Sequence, residues 1–330
     1  MQYKNLFYTQ NKVDDFSLVP IRMEDRELIR TWRNEQMYHL RQNKPLTEAD
    51  QTRYFNEVVV PLFSQEQPEQ YLFSYVKQGE CIGYGGLVHI NYMRQSAELS
   101  FIMNTSLESS EFHLHWANFL TLIEPIAFTA LALNRIFTYA YDLRPHLYPV
   151  LTECGFLLER CIPNALLIEG KPIKAVIHSK WNACLREAEI RDVELTYSWA
   201  IDKAVRQYAF NQDPITKHGH STWFSQKINQ ENCLYFMLDL PNQTTIGSIR
   251  IDINPTESEG LISYIIDPKF QGKGWGIAIL VMGQAIAKQH GITCLIGEVM
   301  PENSSSCAIF VKLGYEATEL SDRIRYQKIL

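Results

Sequence analysis

Gln271-Gly272-Lys273-Gly274-Trp275-Gly276 is the stretch of this chain best suited to hold an anion. Glycines at every second position from 272 to 276 let successive backbone N–H groups converge with no Cβ in the way. A helix that starts at such a loop adds its own free amides and the positive end of its dipole. The flanks supply that arrangement. Gly260-Leu-Ile-Ser-Tyr-Ile-Ile-Asp267 reads as a strand closed by Pro268-Lys269-Phe270, and Ile277 to Gln289 reads as a helix, apolar on nearly every face, that stops at His290-Gly291. The order strand, glycine loop, buried helix predicts a cradle for a phosphate or pyrophosphate. Two common phosphate motifs are excluded. No Ser or Thr follows the Gly-Lys pair as in a P-loop, and the spacing is not the Gly-x-Gly-x-x-Gly of a dinucleotide site.

Such a loop must be positioned by a sizeable fold. The chain has 330 residues, 46% of them hydrophobic, enough for two cores rather than one. It shows no apolar run of membrane-spanning length and no signal peptide at Met-Gln-Tyr-Lys-Asn, so it reads as soluble and cytoplasmic, with no membrane partner. Seven scattered cysteines without a Cys-x-x-Cys pair predict neither a disulfide framework nor a zinc site. A formal charge of −6 with dispersed basic residues argues against nucleic acid as a partner.

In chain order, the first half reads as an alternating run Phe16 to Arg22, a helix Glu24 to Asn34 and a helix capped by Thr47. Three strands follow (71–76, 81–90, 97–103), then a long apolar helix from Phe112 to Leu133 kinked at Pro125, a strand 135–141, a short helix ending at Gly155-Phe156, and two closing strands. From about Asn182 the same order begins again. Trp32 answers Trp199, Ile82-Gly83 answers Ile246-Gly247, and Gly155-Phe156 answers Gly314-Tyr315. A period of roughly 160 residues means a duplicated domain rather than a solenoid. The expected division is 1–183 and 184–330.

Downstream of the glycine loop, after a strand Ile292 to Val299, lies a second motif: Asn303, Ser306, Phe310 and Gly314-Tyr315. Gln-x-x-Gly-x-Gly followed by Asn, a small residue, an aromatic and Gly-aromatic at these spacings resembles the GNAT superfamily of acyl-coenzyme A N-acyltransferases. The resemblance implies an α+β fold of two tandem GNAT domains, each a mixed, mostly antiparallel sheet flanked by helices. It implies acetyl-CoA as co-substrate, with no metal, held by Gln271, Gly272, Lys273, Gly274, Trp275, Gly276, Asn303 and Phe310. It also implies direct attack of an acceptor amine on the thioester, with the oxyanion held by a backbone N–H near Ile265 or Ile266, at a splay in the strand. Many relatives carry Tyr where this chain has Phe310. Either the thiolate leaves unassisted or Tyr264, Tyr315 or a hydroxyl of Ser304 to Ser306 substitutes. Asn303 suits a helix N-cap as well as a cofactor contact. Candidates for the base that takes the amine proton are Asp252, His220 and Glu298, or a water wired to one of them.

The first half differs where it matters. Between the strand ending at Met103 and the helix starting at Phe112 there is no glycine, and Glu108 and Glu111 put negative charge where a pyrophosphate would sit. Counting back from Gly155, Arg144 and Leu151 replace the Asn and the aromatic. This half is expected to keep the fold without the usual acetyl-CoA site, and to complete the cleft, mediate assembly or hold the acceptor. In the second half Trp199, Arg206, His220, Trp223 and Arg250 resemble the GNAT branch that acetylates nucleotide-activated amino sugars for surface glycans. That resemblance implies an acceptor cleft of Arg206, His220, Trp223 and Arg250, with arginine suited to a diphosphate. Two rival readings are a protein or peptide N-terminal acetyltransferase and a non-catalytic acyl-CoA sensor or assembly subunit. A homo-oligomer is left open.

Overall fold

The computed structural model describes residues 2–7, 12–254 and 256–330. The chain divides into two compact units after Lys180, just ahead of the boundary expected at residue 183.

The strands of unit 1 are β1 (Lys12–Val13), β2 (Phe16–Pro20), β3 (Tyr71–Lys77), β4 (Glu80–Asn91), β5 (Ser96–Met103), β6 (Arg135–Tyr141), β7 (Leu157–Ile168) and β8 (Lys171–Trp181). They form one sheet in the order β1-β2-β3-β4-β5-β6-β8-β7. The pair β5/β6 is parallel, while β1/β2, β2/β3, β3/β4, β4/β5 and β7/β8 are antiparallel. Thr47 caps its helix as expected, with Asp50 completing a reciprocal capping box. The long apolar segment is helical over Phe112–Pro125 and widens into a π-helical turn over Ile126–Ala130. The proline at the junction, which has no N–H to continue the ladder, marks the change. A short helix, Thr105–Ser110, stands where the sequence suggests a plain connection.

Unit 2 repeats the layout with β9 (Cys184–Glu187), β10 (Cys233–Asp239), β11 (Thr245–Asn254), β12 (Glu259–Ile266), β13 (Cys294–Val299), β14 (Glu316–Glu319) and β15 (Ile324–Ile329), in the order β14-β15-β13-β12-β11-β10-β9. Here too one pair, β12/β13, is parallel. Both units are α+β with a mixed, mostly antiparallel sheet. Strands β9 and β14 are not expected from the sequence; each has four residues, too few to show a period. The helix Trp275–Gln289 buries Ala278, Ile279, Leu280, Val281 and Ala287, which explains its apolar faces. Each of Ile279 and Leu280, fully buried, contributes about 1.5–3 kcal/mol of transfer free energy.

Candidate functional site

The glycine loop of unit 2 is built as a set of unspent donors. Gly272 (φ 78°) and Gly274 (φ 91°) lie in the left-handed region, open to glycine at no steric cost, and an added Cβ at either would meet no atom within 4 Å. Gly274 caps the helix Trp275–Gln289 without a side-chain bond. The first amides of that helix to find a protein acceptor are those of Ile277 and Ala278, both on the Gly274 carbonyl. The N–H groups of Gln271 to Gly276 donate to no protein acceptor among the described residues. The loop is braced from beneath. Trp199 Nε1 donates to Asp267 Oδ2 at 3.0 Å, Asp267 Oδ1 accepts from the Lys269 amide, and Gln271 Nε2 donates to the Ile266 carbonyl at 3.1 Å. Trp199 is therefore a buried brace for the loop rather than a platform in the cleft.

Beside the loop the sheet opens. The β12/β13 pairing runs from Glu259 opposite Cys294 to Ile262 opposite Gly297 and then stops, so the rest of β12 has lost its neighbour on that side. Strand register decides which amides face the gap. The Asp267 amide donates to the Ile246 carbonyl across the β11/β12 pair. Alternation then turns the Ile265 N–H toward its partner Ser248 in β11, and the amides of Tyr264 and Ile266 toward the gap. Of the two residues expected to offer an oxyanion donor, Ile265 therefore has its N–H turned to β11 and Ile266 has its N–H turned to the gap, as does Tyr264.

A cavity of about 650 Å³ lies at this opening, lined by Arg206, Trp223, Arg250, Tyr264, Glu298, Asn303, Ser306 and Phe310 among others. Phe310 is 1% exposed and stacks on Tyr326 at 5.0 Å, with Tyr315 at 4.9 Å and Tyr264 at 6.3 Å between centroids. Gly297 makes room for it, since a Cβ there would meet the Phe310 ring at 2.4 Å. Of the hydroxyls that could stand in for a tyrosine at 310, two are brought together: Tyr264 Oη and Ser306 Oγ lie 3.0 Å apart at the cavity wall. Burial pushes the Tyr264 phenol up, against the Ser306 hydrogen bond, so it keeps its proton. The Tyr315 hydroxyl instead accepts from Gln284 Nε2 in the core. Asn303 caps its helix, its Oδ1 accepting from the Ser306 amide at 3.1 Å, while still lining the cavity.

The proposed bases separate. His220 is buried, Nε2 lies 3.1 Å from Thr196 Oγ1, and its ring packs among Tyr197, Trp223 and Phe224; it is not among the cavity-lining residues. Burial lowers its pKa, so it stays neutral. Asp252 also lies off the cavity wall, bonded to Lys227 Nζ at 2.7 Å and Arg250 Nε at 2.8 Å. Burial opposes its charge, but the Lys227 bond and the two nearby cations prevail and hold its pKa below the ordinary value. Each of its oxygens is held in an ion pair. Glu298 does line the cavity and pairs with Arg323 Nη1 at 2.6 Å. Arg250 sits with its guanidinium carbon 5.0 Å from the Trp223 ring centre, so these two form one wall. Arg206 donates to the carbonyls of Asn211 and Asp213, and so fastens the loop whose Tyr208 and Phe210 complete the lining. That loop gives no signal in the sequence because its contribution depends on this cross-loop clasp.

Unit 1 contrasts at each point. Its parallel pair β5/β6 also stops early, after Glu98 opposite Phe137. But most amides of the segment ahead of the helix are consumed: Ser106 donates to Asn104 Oδ1, Leu107 and Glu108 to the Asn104 carbonyl, and Glu111 to the Leu107 carbonyl, while those of Phe112 to Leu114 at the start of that helix meet no protein acceptor among the described residues. The hydroxyls of Ser109 and Ser110 both donate to the Ser106 carbonyl. Arg144 Nη1 lies 3.2 Å from Glu108 Oε1, which also accepts from the Tyr38 hydroxyl. Two of the positions where the first half departs from the pattern, Glu108 and Arg144, are thus joined by an ion pair. No group of three or more metal-binding side chains occurs among the described residues, and no helix there is long and apolar enough to cross a membrane.

Comparison with known proteins agrees with the architecture. Residues 182–316 match the family described as Acetyltransferase (GNAT) domain, and residues 18–177 match a second family of the same description. Among curated proteins none matches. Solved structures similar to this chain include a domain from Methanocaldococcus jannaschii DSM 2661, at 19% identity over 45% of this chain and 98% of that one, with a TM-score of 0.41. Another is spermidine N-acetyltransferase from Vibrio cholerae in complex with CoA and spermine, at 19% identity over 51% and 96%, TM-score 0.44. A third is the dodecameric structure of the Vibrio cholerae spermidine N-acetyltransferase in an intermediate state, at 18% over 51% and 95%, TM-score 0.42. With one match on each unit and the two sheets in corresponding strand order, this chain belongs to the GNAT acetyltransferases as two such domains in tandem.

Proposed function

We propose that unit 2 is the catalytic half and moves an acetyl group from acetyl-CoA to the amine of a small-molecule acceptor. The observation that carries this reading is the run of acceptor-free amides from Gln271 to Gly276, set against a gap in the sheet. The residues present fit the co-substrate. Gln271, Gly272, Lys273, Gly274, Trp275 and Gly276 would hold its diphosphate, and the outward amides of Tyr264 and Ile266 would serve its arm and the oxyanion. When bound, acetyl-CoA supplies an activated acetyl thioester. Tyr264, supported by Ser306, holds a proton at Oη beside the gap. Phe310 and its aromatic neighbours exclude water on one side. Glu298, directly or through a water, is a carboxylate on the wall that could take an amine proton, and Asp213 lines the same cavity.

For the acceptor, the same cavity offers Arg250 stacked near Trp223, with Arg206 on the rim loop. This suits an anionic, ring-bearing amine, and it favours a nucleotide-linked amino sugar over a peptide N-terminus. Arg250→Ala is expected to raise acceptor KM at least ~10-fold, since charge-assisted hydrogen bonds contribute about 1.5–3 kcal/mol, with CoA affinity unchanged. Thiol release measured with a panel of nucleotide amino sugars, polyamines and peptides tests the assignment. Turnover with peptides alone would overturn the acceptor class, and CoA binding without turnover on any amine would favour a sensor. A further expectation concerns the brace. Trp199→Phe keeps the ring but loses the bond to Asp267, and should weaken CoA binding by roughly 1 kcal/mol in calorimetry.

A further inference from the structure

The gap in the unit 1 sheet opens into a cavity of about 720 Å³, larger than the one in unit 2. Its charged groups are unevenly spent. Arg41 is ion-paired with Glu98, and Arg144 with Glu108. Arg33 lines the same cavity with no carboxylate partner among the described residues; its Nη1 donates to the Tyr84 hydroxyl at 2.6 Å and its Nε to Gln42 Oε1 at 3.0 Å. Its remaining guanidinium hydrogens have no protein acceptor among the described residues. Two other lining residues, each 3% exposed, keep polar atoms without a partner: Trp116 Nε1 and Thr138 Oγ1. An indole N–H can only donate, and a hydroxyl can donate. A half-buried cation without a counter-charge and two orphaned buried groups are costly to keep in a cleft that binds nothing. Their shared deficit is an acceptor carrying negative charge.

We propose that the unit 1 cleft is a second ligand site, which takes a small anion on an aromatic or apolar body, a carboxylate or a phosphate ester, rather than an acyl-CoA. The body is matched by the aromatic wall of Tyr84, Phe101 and Tyr139. CoA is disfavoured because the segment ahead of the helix at Phe112 has no glycine, carries Glu108 and Glu111, and spends most of its amides internally. The second site stands whichever acceptor unit 2 uses.

The test is calorimetric titration of the full chain with benzoate, phenyl phosphate and the neutral isostere benzamide, repeated for Arg33→Gln and Trp116→Phe. The expected result is that one of the two anions binds at one per chain, with benzamide at least ~10-fold weaker, and that folded Arg33→Gln loses at least ~10-fold affinity. The better-bound anion tells carboxylate from phosphate. Trp116→Phe, which keeps an aromatic ring and removes the donor, should weaken the same binding several-fold and serves if Arg33→Gln does not fold. CoA should not displace the anion. Failure of both anions to bind, equal binding of benzamide, displacement by CoA, or binding unchanged in the variants would each overturn the proposal.

Discussion

Gly274→Asp is expected to reduce CoA affinity by at least about 10³-fold, or roughly 4 kcal/mol, while leaving the fold in place. The native φ of 91° costs a non-glycine residue about 1–2 kcal/mol. An added Cβ meets no atom within 4 Å, so the helix behind the loop has no steric reason to move. The loss comes from placing a carboxylate among amides proposed to hold a diphosphate. Gly274→Ala separates the two effects, since it bears the backbone cost without the charge and should lose far less. Calorimetry gives the affinities and thermal unfolding confirms the fold. Affinity unchanged in the aspartate variant would remove the loop from the site.

Tyr264→Phe is expected to lower kcat by about 10²-fold, at the lower end of what a positioned general acid contributes, with CoA affinity nearly unchanged. The grounds are local. Phe310 has no proton to give, and the hydroxyls of Tyr264 and Ser306, both on the cavity wall, lie 3.0 Å apart. The pH dependence carries the sign. A donor must be protonated, so its contribution is lost as pH rises through its pKa. Burial raises that pKa above the ordinary 10.0, and kcat should therefore hold through the neutral and mildly alkaline range. A wild-type kcat that already falls tenfold per unit as pH rises toward 10, or a Phe variant with full activity, would remove Tyr264 from this role.

How much of this could be read from the chain depends on the range of the interaction. The glycine loop, its strand and its helix were legible because all three are local: turn residues, a short apolar run and a long one. Asn303 as an N-cap was legible for the same reason. The gap in the sheet was expected only through the family resemblance, as a splay in the strand, because no local signal says where β13 leaves β12. The choice between Ile265 and Ile266 rests on ladder parity, which is set by pairing with β11. His220 did carry a local signal. Phe224, four residues on, shares its helix face, and a face holding a fully buried phenylalanine turns a histidine toward the core. For Asp252 the pairing with Arg250, two residues back on the same strand face, was a local signal, but Lys227 reaches it from a different element. In unit 1 the loss of glycines was visible, but not the replacement of the cradle by a capped helical turn and an ion pair.

The amides from Gln271 to Gly276 meet no protein acceptor among the described residues, and the catalytic role proposed for unit 2 rests on their holding a diphosphate. Amide hydrogen exchange on the full chain, with and without CoA, tests it most directly. Rapid exchange is predicted over Gln271 to Gly276 in the free protein, with marked slowing there on addition of CoA and no change over residues 104–111. Protection of residues 104–111 by CoA with Gln271 to Gly276 unaffected would contradict it.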